Sequence, residues 1–193
     1  FCKRNRGGFL ALEYSGHGKS YGKFEDGTIS SWTQDAVKII RKKLIRKKLI
    51  LVGSSMGGWI GLNLFKVFKK NILAFVGIAP APEFLDRLMW KKFTNKVKRQ
   101  LVKDKFHKFN HGGYEYNISY NLIKDGRKNK IFNKNFINKI FITILHGQKD
   151  DVVPVSISKK ILKIFTKAKK KLIIIKRGDH SLSNKKKFEK NKK

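Results

Sequence analysis

Gly53-Ser54-Ser55-Met56-Gly57 stands between an apolar run, Leu49 to Val52, and a stretch of helical composition, Gly58 to Phe68. The order reads as a strand, a sharp turn and a helix, with Ser55 at the apex. A turn of this kind exposes a hydroxyl only when the residues two positions away on either side carry no side chain that would collide, which is the steric job expected of Gly53 and Gly57. Met56 follows the serine, and its backbone N–H would face an oxyanion developing on an attacked carbonyl. Ser55 is therefore the candidate nucleophile. Ser54 is not, because only Ser55 has glycine at both second positions. Glycine and serine are common, so the five residues gain their weight from the flanking strand and helix.

A serine nucleophile needs a base, and the base needs an acid to orient it. Ile140 to Leu145 is a short β-branched run that reads as a strand and leads into His146-Gly147-Gln148-Lys149-Asp150-Asp151-Val152-Val153-Pro154. Carboxylates just past the end of a strand sit where open α/β sheets gather their chemistry. Lys171 to Ile175 reads as a further strand and delivers Gly178-Asp179-His180 to the same end of the sheet. Asp150 and Asp151 share one turn, and either carboxylate fits the acid. Asp179, next to His180, reads as a residue shaping its own turn. His17, His107, His111 and His146 stand in loops, polar stretches or strand ends without paired cysteine or carboxylate spacing, so no metal site is expected.

The remaining pattern alternates as a parallel sheet requires. Gly8 to Leu12 reads as a strand. Ser30 to Lys43 reads as a helix through Trp32, Ala36, Ile39 and Ile40, and Ile72 to Ile78 as a strand closed by Ala79-Pro80-Ala81-Pro82. Val155 to Phe165 reads as a helix, and a terminal helix is expected from Leu182 onward. Between Pro82 and Asn138 the rhythm is lost. Phe84, Leu85, Leu88, Met89 and Trp90 open an amphipathic helix there, a basic helix follows around Phe93 to Val102, and Tyr114, Tyr116 and Tyr120 alternate too briefly to assign. The expected organisation is one domain over 1–193 with a cap inserted at 82–138.

Four segments carry a resemblance to a known family: Glu13-Tyr14-Ser15-Gly16-His17-Gly18-Lys19-Ser20, the elbow, Gly147 to Pro154, and Gly178-Asp179-His180. Together, from Phe9 to the C-terminus, the chain resembles the α/β-hydrolases, in which nucleophile, acid and histidine follow in that order. Within them it is most similar to the palmitoyl-protein thioesterase and acyl-glucuronide esterase group and its bacterial relatives. The resemblance implies a three-layer fold with a mostly parallel sheet and a small helical cap. It also implies Ser55 as nucleophile, Asp150 as acid (three residues after the glycine and four before the proline), His180 as base and the Met56 N–H as one oxyanion donor. The substrate implied is a small-molecule ester or an S-acyl protein, cleaved without metal or organic cofactor. A short-chain carboxylesterase, an aminopeptidase-like hydrolase and a non-catalytic binding protein on the same fold are the alternatives, since a fold does not fix a substrate. The family's second oxyanion donor lies on a loop upstream of anything in this chain, and Phe1 to Arg6 resembles the end of a helix. The resemblance thus implies a chain that lacks the first strands, and with them half of the oxyanion site.

Composition limits what else is expected. At 193 residues the chain suits one domain with a real core. No run of about eighteen apolar residues offers a membrane span, and the basic start lacks the apolar centre of a signal peptide. One cysteine, Cys2, excludes an internal disulfide and fits a reducing, cytoplasmic compartment. A formal net charge of +33 would ordinarily point to a polyanion. Its lysines, however, are spread over helix faces at Lys42-Lys43, Lys47-Lys48, Lys69-Lys70 and Lys169 to Lys171, where solvation is the ordinary fate of such residues. No specific nucleic-acid partner is expected; weak contact with a membrane surface fits an acyl substrate.

Overall fold

The computed structural model describes residues 2, 4, 7–44, 46–111 and 114–183. In chain order the regular elements are α1 (Ile29–Lys43), β1 (Leu49–Ser54), α2 (Met56–Phe68), β2 (Ile72–Ile78), α3 (Asn95–Asp104), β3 (Phe106–His111), β4 (Tyr114–Ser119), α4 (Tyr120–Lys128), β5 (Phe141–Gly147), α5 (Val155–Ile164) and β6 (Lys169–Ile175). Strands β1, β2, β5 and β6 form one parallel sheet in that order. Parallel neighbours need a long return connection, and the helices α2 and α5 and the whole segment 79–140 supply it.

Each helix is set by a local signal. Thr28 caps α1 by accepting from Ser31 N–H, while Ser31 Oγ accepts from Thr28 N–H, a reciprocal capping box. The helix then buries Ile29, Trp32, Ala36, Val37 and Ile40 on one face. Helix α2 is apolar almost all round, and Trp59, Ile60, Leu62, Leu64 and Phe65 are all buried. Phe65 meets Phe75 of β2, and also Phe136 and Phe165, whose rings stack with centroids 4.8 Å apart. Burying rings of this size is the largest favourable contribution such a core receives. The helices α2 and α5 pack on the sheet face bearing Phe75, Ile144 and His146. The opposite face carries Ile50, Val52 and Phe141, each more than half exposed.

Strand register, more than composition, positions the loops. Ser54 pairs with Ile78, Ile78 with Leu145, and Gly147 with Ile175, so β1 and β2 finish level with each other and β5 and β6 finish level two residues further on. The loops continue the ladder beyond the strands: Ser55 N–H donates to Ile78, Ala79 to Leu145, Gln148 to Ile175 and Lys149 to Gly178. Every loop read as functional from the sequence therefore leaves the sheet at the same end.

Two sequence expectations change. Gly8–Leu12 runs without a ladder partner among the described residues, and Phe9 is 82% exposed, so it forms no strand; β-structure needs a paired neighbour and not only a suitable composition. The segment between β2 and β5 is not purely helical. It holds a single π-turn (Leu85–Met89), a 3₁₀ turn (Trp90–Lys92), α3, α4 and the antiparallel hairpin β3–β4. In that hairpin His107 and Phe109 lie opposite Ile118 and Tyr116, and one face packs inward while Lys108 and Glu115 form an ion pair on the other. This two-residue alternation was hidden in a stretch that reads as basic and polar. The helix expected from Leu182 onward lies almost wholly outside the described residues, as does the helix end expected at Phe1 to Arg6.

The inserted segment is fastened at both ends. Glu83, buried and at φ 62°, accepts from the N–H groups of Ile131 and Phe132 at 2.9 Å each and pairs with Arg87 at 2.7 Å. Asp125 of α4 accepts from Ser30 N–H and Ser30 Oγ, placing a carboxylate at the positive end of α1. Asn117 of β4 donates to Glu25.

Candidate active site

Ser55 occupies the turn between β1 and α2 with φ 47° and ψ −117°, a conformation that side-chain-bearing residues rarely adopt. Contacts around it hold that strain in place. Its carbonyl accepts from Gly58 N–H and from Ala81 N–H, both at 3.0 Å, and its own N–H reaches Ile78. A Cβ on Gly53 would stand 2.5 Å from the Gly57 carbonyl oxygen, so Gly53 has the steric role expected of it. Gly57 does not. A Cβ there would meet only the Tyr14 hydroxyl, at an ordinary 3.7 Å, whereas one on Gly58 would stand 2.5 Å from Pro80 Cβ. The second glycine the turn requires is Gly58, because Ala79-Pro80-Ala81 folds across the start of α2.

The carboxylate turn after β5 is built around Asp150. Its Oδ1 accepts from Val152 and Val153 N–H at 3.0 and 2.8 Å, an Asx-type turn that fixes the carboxylate orientation. Its Oδ2 lies 2.8 Å from His180 Nδ1. Asp151, the other carboxylate of the turn, is exposed. On the far side of His180, Nε2 lies 3.0 Å from Ser55 Oγ. Nδ1–H donates to the carboxylate, which leaves Nε2 as the acceptor for the serine hydroxyl. Ser55, His180 and Asp150, drawn from three loops, thus form one continuous hydrogen-bonded chain.

Close backbone approach makes that convergence possible. A Cβ on Gly147 would collide with the Asp179 carbonyl oxygen and stand 2.5 Å from that of Gly178, so the loop carrying His180 rests directly on the loop carrying Asp150. Asp179 shapes its own turn by accepting from Leu182 N–H at 2.8 Å. Met56 is the first residue of α2, and its N–H has no partner within the helix. It stands at the positive end of a 13-residue helix, where a negative oxygen is favoured.

Around this chain lie side chains to which the sequence reading gave no role in the site. Tyr14 places its hydroxyl beside Gly57, and burial pushes its phenol above the usual tyrosine range. His17 donates from Nδ1–H to the Ser15 carbonyl and packs edge-on against Tyr14, Phe24 and Trp32. Ser15 is held by Asp35, which accepts from both its N–H and its hydroxyl. His146 is fully buried and lies against Asp150. Its position at a strand end was legible, but its direction depends on the strand's face and could not be read from composition.

A family model for the alpha/beta hydrolase fold matches residues 4–111. The mitochondrial palmitoyl-protein thioesterase ABHD10 of Homo sapiens is 30% identical over 191 residues, which is 96% of this chain and 61% of that protein. The chain therefore spans about three fifths of the length of this curated relative. A protein of Agrobacterium vitis S4 of known crystal structure is 31% identical, with a TM-score of 0.84 over 92% of this chain and 71% of that one. Mouse alpha/beta hydrolase domain-containing protein 10 is 25% identical, with a TM-score of 0.78 over the same shares. With the parallel sheet and the strained serine turn, this likeness leads to one conclusion: the chain belongs to the alpha/beta-hydrolase fold family.

Proposed function

We propose that this protein is a serine hydrolase that cleaves carboxylic esters or thioesters of an acyl chain through Ser55, His180 and Asp150. The observation that carries the reading is His180 itself, whose two ring nitrogens lie 3.0 Å from Ser55 Oγ and 2.8 Å from Asp150 Oδ2. These three residues are far apart in sequence. Structural hydrogen bonds do not need a nucleophile, a base and an acid in that sequence, and a strained turn presenting the hydroxyl adds a cost that a purely structural serine has no reason to bear.

In this reading His180 takes the Ser55 proton as Oγ attacks the acyl carbonyl. Asp150 keeps the imidazole in the Nδ1–H tautomer and stabilises the imidazolium that forms. The oxyanion is met by the Met56 N–H, and a donor of this kind is worth on the order of a hundredfold or more in rate. His180 then returns its proton to the leaving alcohol or thiol, the acyl group remains on Ser55, and a water deprotonated by His180 releases the acid. Segment 82–138 serves as a cap over this end of the sheet. A fatty-acyl thioester is the favoured substrate, supported by the palmitoyl-protein thioesterase name that the curated relatives carry, with an acyl-glucuronide ester beside it on the sequence resemblance alone. The cytoplasm is kept as the place of action on the single cysteine, although those relatives are named as mitochondrial proteins.

A fluorophosphonate probe applied to the protein expressed from its full reading frame tests the nucleophile. Labelling is expected in the wild type and absent in Ser55→Ala; a label that survives the substitution would sink the assignment. Hydrolysis of p-nitrophenyl esters of rising chain length, set beside acyl-CoA and S-acyl peptides, then sorts the substrate classes.

A further inference from the structure

His146 is the last side chain of β5 turned toward the helices before the Asp150 turn, and acyl transfer through Ser55 makes no direct use of it. It is fully buried. A buried imidazole is tolerated when both nitrogens are satisfied, and here the partners decide which of them carries the proton. Nε2 lies 2.8 Å from the Val153 carbonyl oxygen, which can only accept, so Nε2 holds the hydrogen and donates it. Nδ1 is then the acceptor for the Ser158 hydroxyl at 2.7 Å. Asp150 Oδ2 lies 3.1 Å from the same Nε2, near the positive end of that N–H bond, and both side chains are wholly shielded from solvent. The carboxylate thus sits between two imidazoles: one faces Ser55, and the other reaches back to α5.

Resting on the serine-hydrolase reading, we propose that His146, set in its Nε2–H tautomer by the Val153 carbonyl, is a positioning residue for Asp150. It keeps Oδ2 directed at His180 and draws on part of the negative charge that His180 would otherwise meet alone. With both groups buried there is little water to screen the interaction. Asp150 and His180 face His146 from the loops after β5 and β6, and the uncharged Ser158 faces it from α5. Asp179, beside His180, directs its Oδ1 to Leu182 N–H and the Ser181 hydroxyl. Removing the His146 N–H leaves the carboxylate less compensated. His180 then holds a proton more firmly, and the base is blocked at a higher pH.

The test is the rate of fluorophosphonate labelling of Ser55 between about pH 5 and 9, the range in which a histidine base titrates. Wild type, His146→Leu, His146→Gln and Ser158→Ala are compared in the full reading frame. His146→Leu is expected to move the acid limb upward by about half a pH unit, roughly a threefold loss of rate on that limb. His146→Gln carries an amide N–H at similar reach and is expected to restore the limb. Ser158→Ala removes only the partner of Nδ1, leaves the Nε2–H facing Val153 and Asp150 and is expected to leave the limb in place; His146→Met serves if His146→Leu fails to fold. An acid limb that stays in place or falls to lower pH in His146→Leu, or in His146→Met in its stead, overturns the proposal, as does a loss of thermal stability with an unchanged profile. A wild type that takes no label, or a label that survives Ser55→Ala, marks the failure of the hydrolase reading itself, and the proposal falls with it.

Discussion

Gly147→Ala is the substitution whose outcome the structure constrains most tightly. The added methyl would overlap the Asp179 carbonyl oxygen and lie 2.5 Å from the Gly178 oxygen, and both are backbone atoms that cannot rotate away. Restoring van der Waals contact requires the 178–179 backbone to retreat by roughly 1 Å, in a region packed as densely as a crystal. His180 is the next residue. Its contacts to Ser55 Oγ and Asp150 Oδ2, now 3.0 and 2.8 Å, would stretch toward or past the limit of a hydrogen bond. A displacement of that size costs about a hundredfold in rate, and overpacking of this kind costs about 1–3 kcal/mol in stability. For a chain of this length each kcal/mol lowers the melting temperature by about 2–4 °C. The assay is the fluorophosphonate labelling rate near pH 8 beside a thermal melt, with Lys149→Ala, an exposed neighbour, as the control. A Gly147→Ala protein that labels within about threefold of wild type and melts at the same temperature would show that the two loops do not rest on each other.

The other expectations concern stability and pH. Glu83→Ala removes the acceptor for the Ile131 and Phe132 N–H groups and the partner of Arg87; a loss of about 2–4 kcal/mol is expected in denaturant unfolding, and a loss under 0.5 kcal/mol would contradict the fastening role. Asn63 is buried on α2 with neither amide atom paired among the described residues, so Asn63→Leu is expected to stabilise by about 1–2 kcal/mol; destabilisation would mean the amide has a partner after all. Tyr14 is raised above its ordinary 10.0 by burial, so the unfolded chain releases that proton first. Its contribution is complete below pH 10 and is lost as pH rises through the folded value. The melting temperature of Tyr14→Phe is therefore expected to fall less steeply than that of wild type above that pH, and parallel curves would refute the link.

Much of the site was legible because its signals are local. The elbow, the glycines at the strand ends and the strand, turn and helix order around Ser55 follow from side-chain period and turn chemistry within a dozen residues. The bounds of β2 agree with the sequence reading at both ends, and those of α1, β1, α5 and β6 fall within two residues of it. Signals failed where a partner decides the outcome. Gly8–Leu12 has strand composition but no neighbour to pair with among the described residues, and the hairpin β3–β4 has the alternation of a strand pair within a stretch rich in lysine, asparagine and histidine. Gly57 and Gly58 are adjacent and chemically identical; only the path of Pro80 distinguishes them.

By itself the sequence determined which side chains reach the carboxyl end of the sheet, since that depends on where each strand stops. Tertiary structure alone decided which of them meet. Asp150 faces His180 and Asp151 faces solvent because the two valine amides hold one carboxylate in a fixed orientation, and Gly147 lets a loop 30 residues away settle onto it. The same register turns His146 inward against that carboxylate. A turn written in five residues can present a hydroxyl, but the contacts of that hydroxyl depend on strand register across the whole sheet, and register is a property of paired strands and not of any one of them.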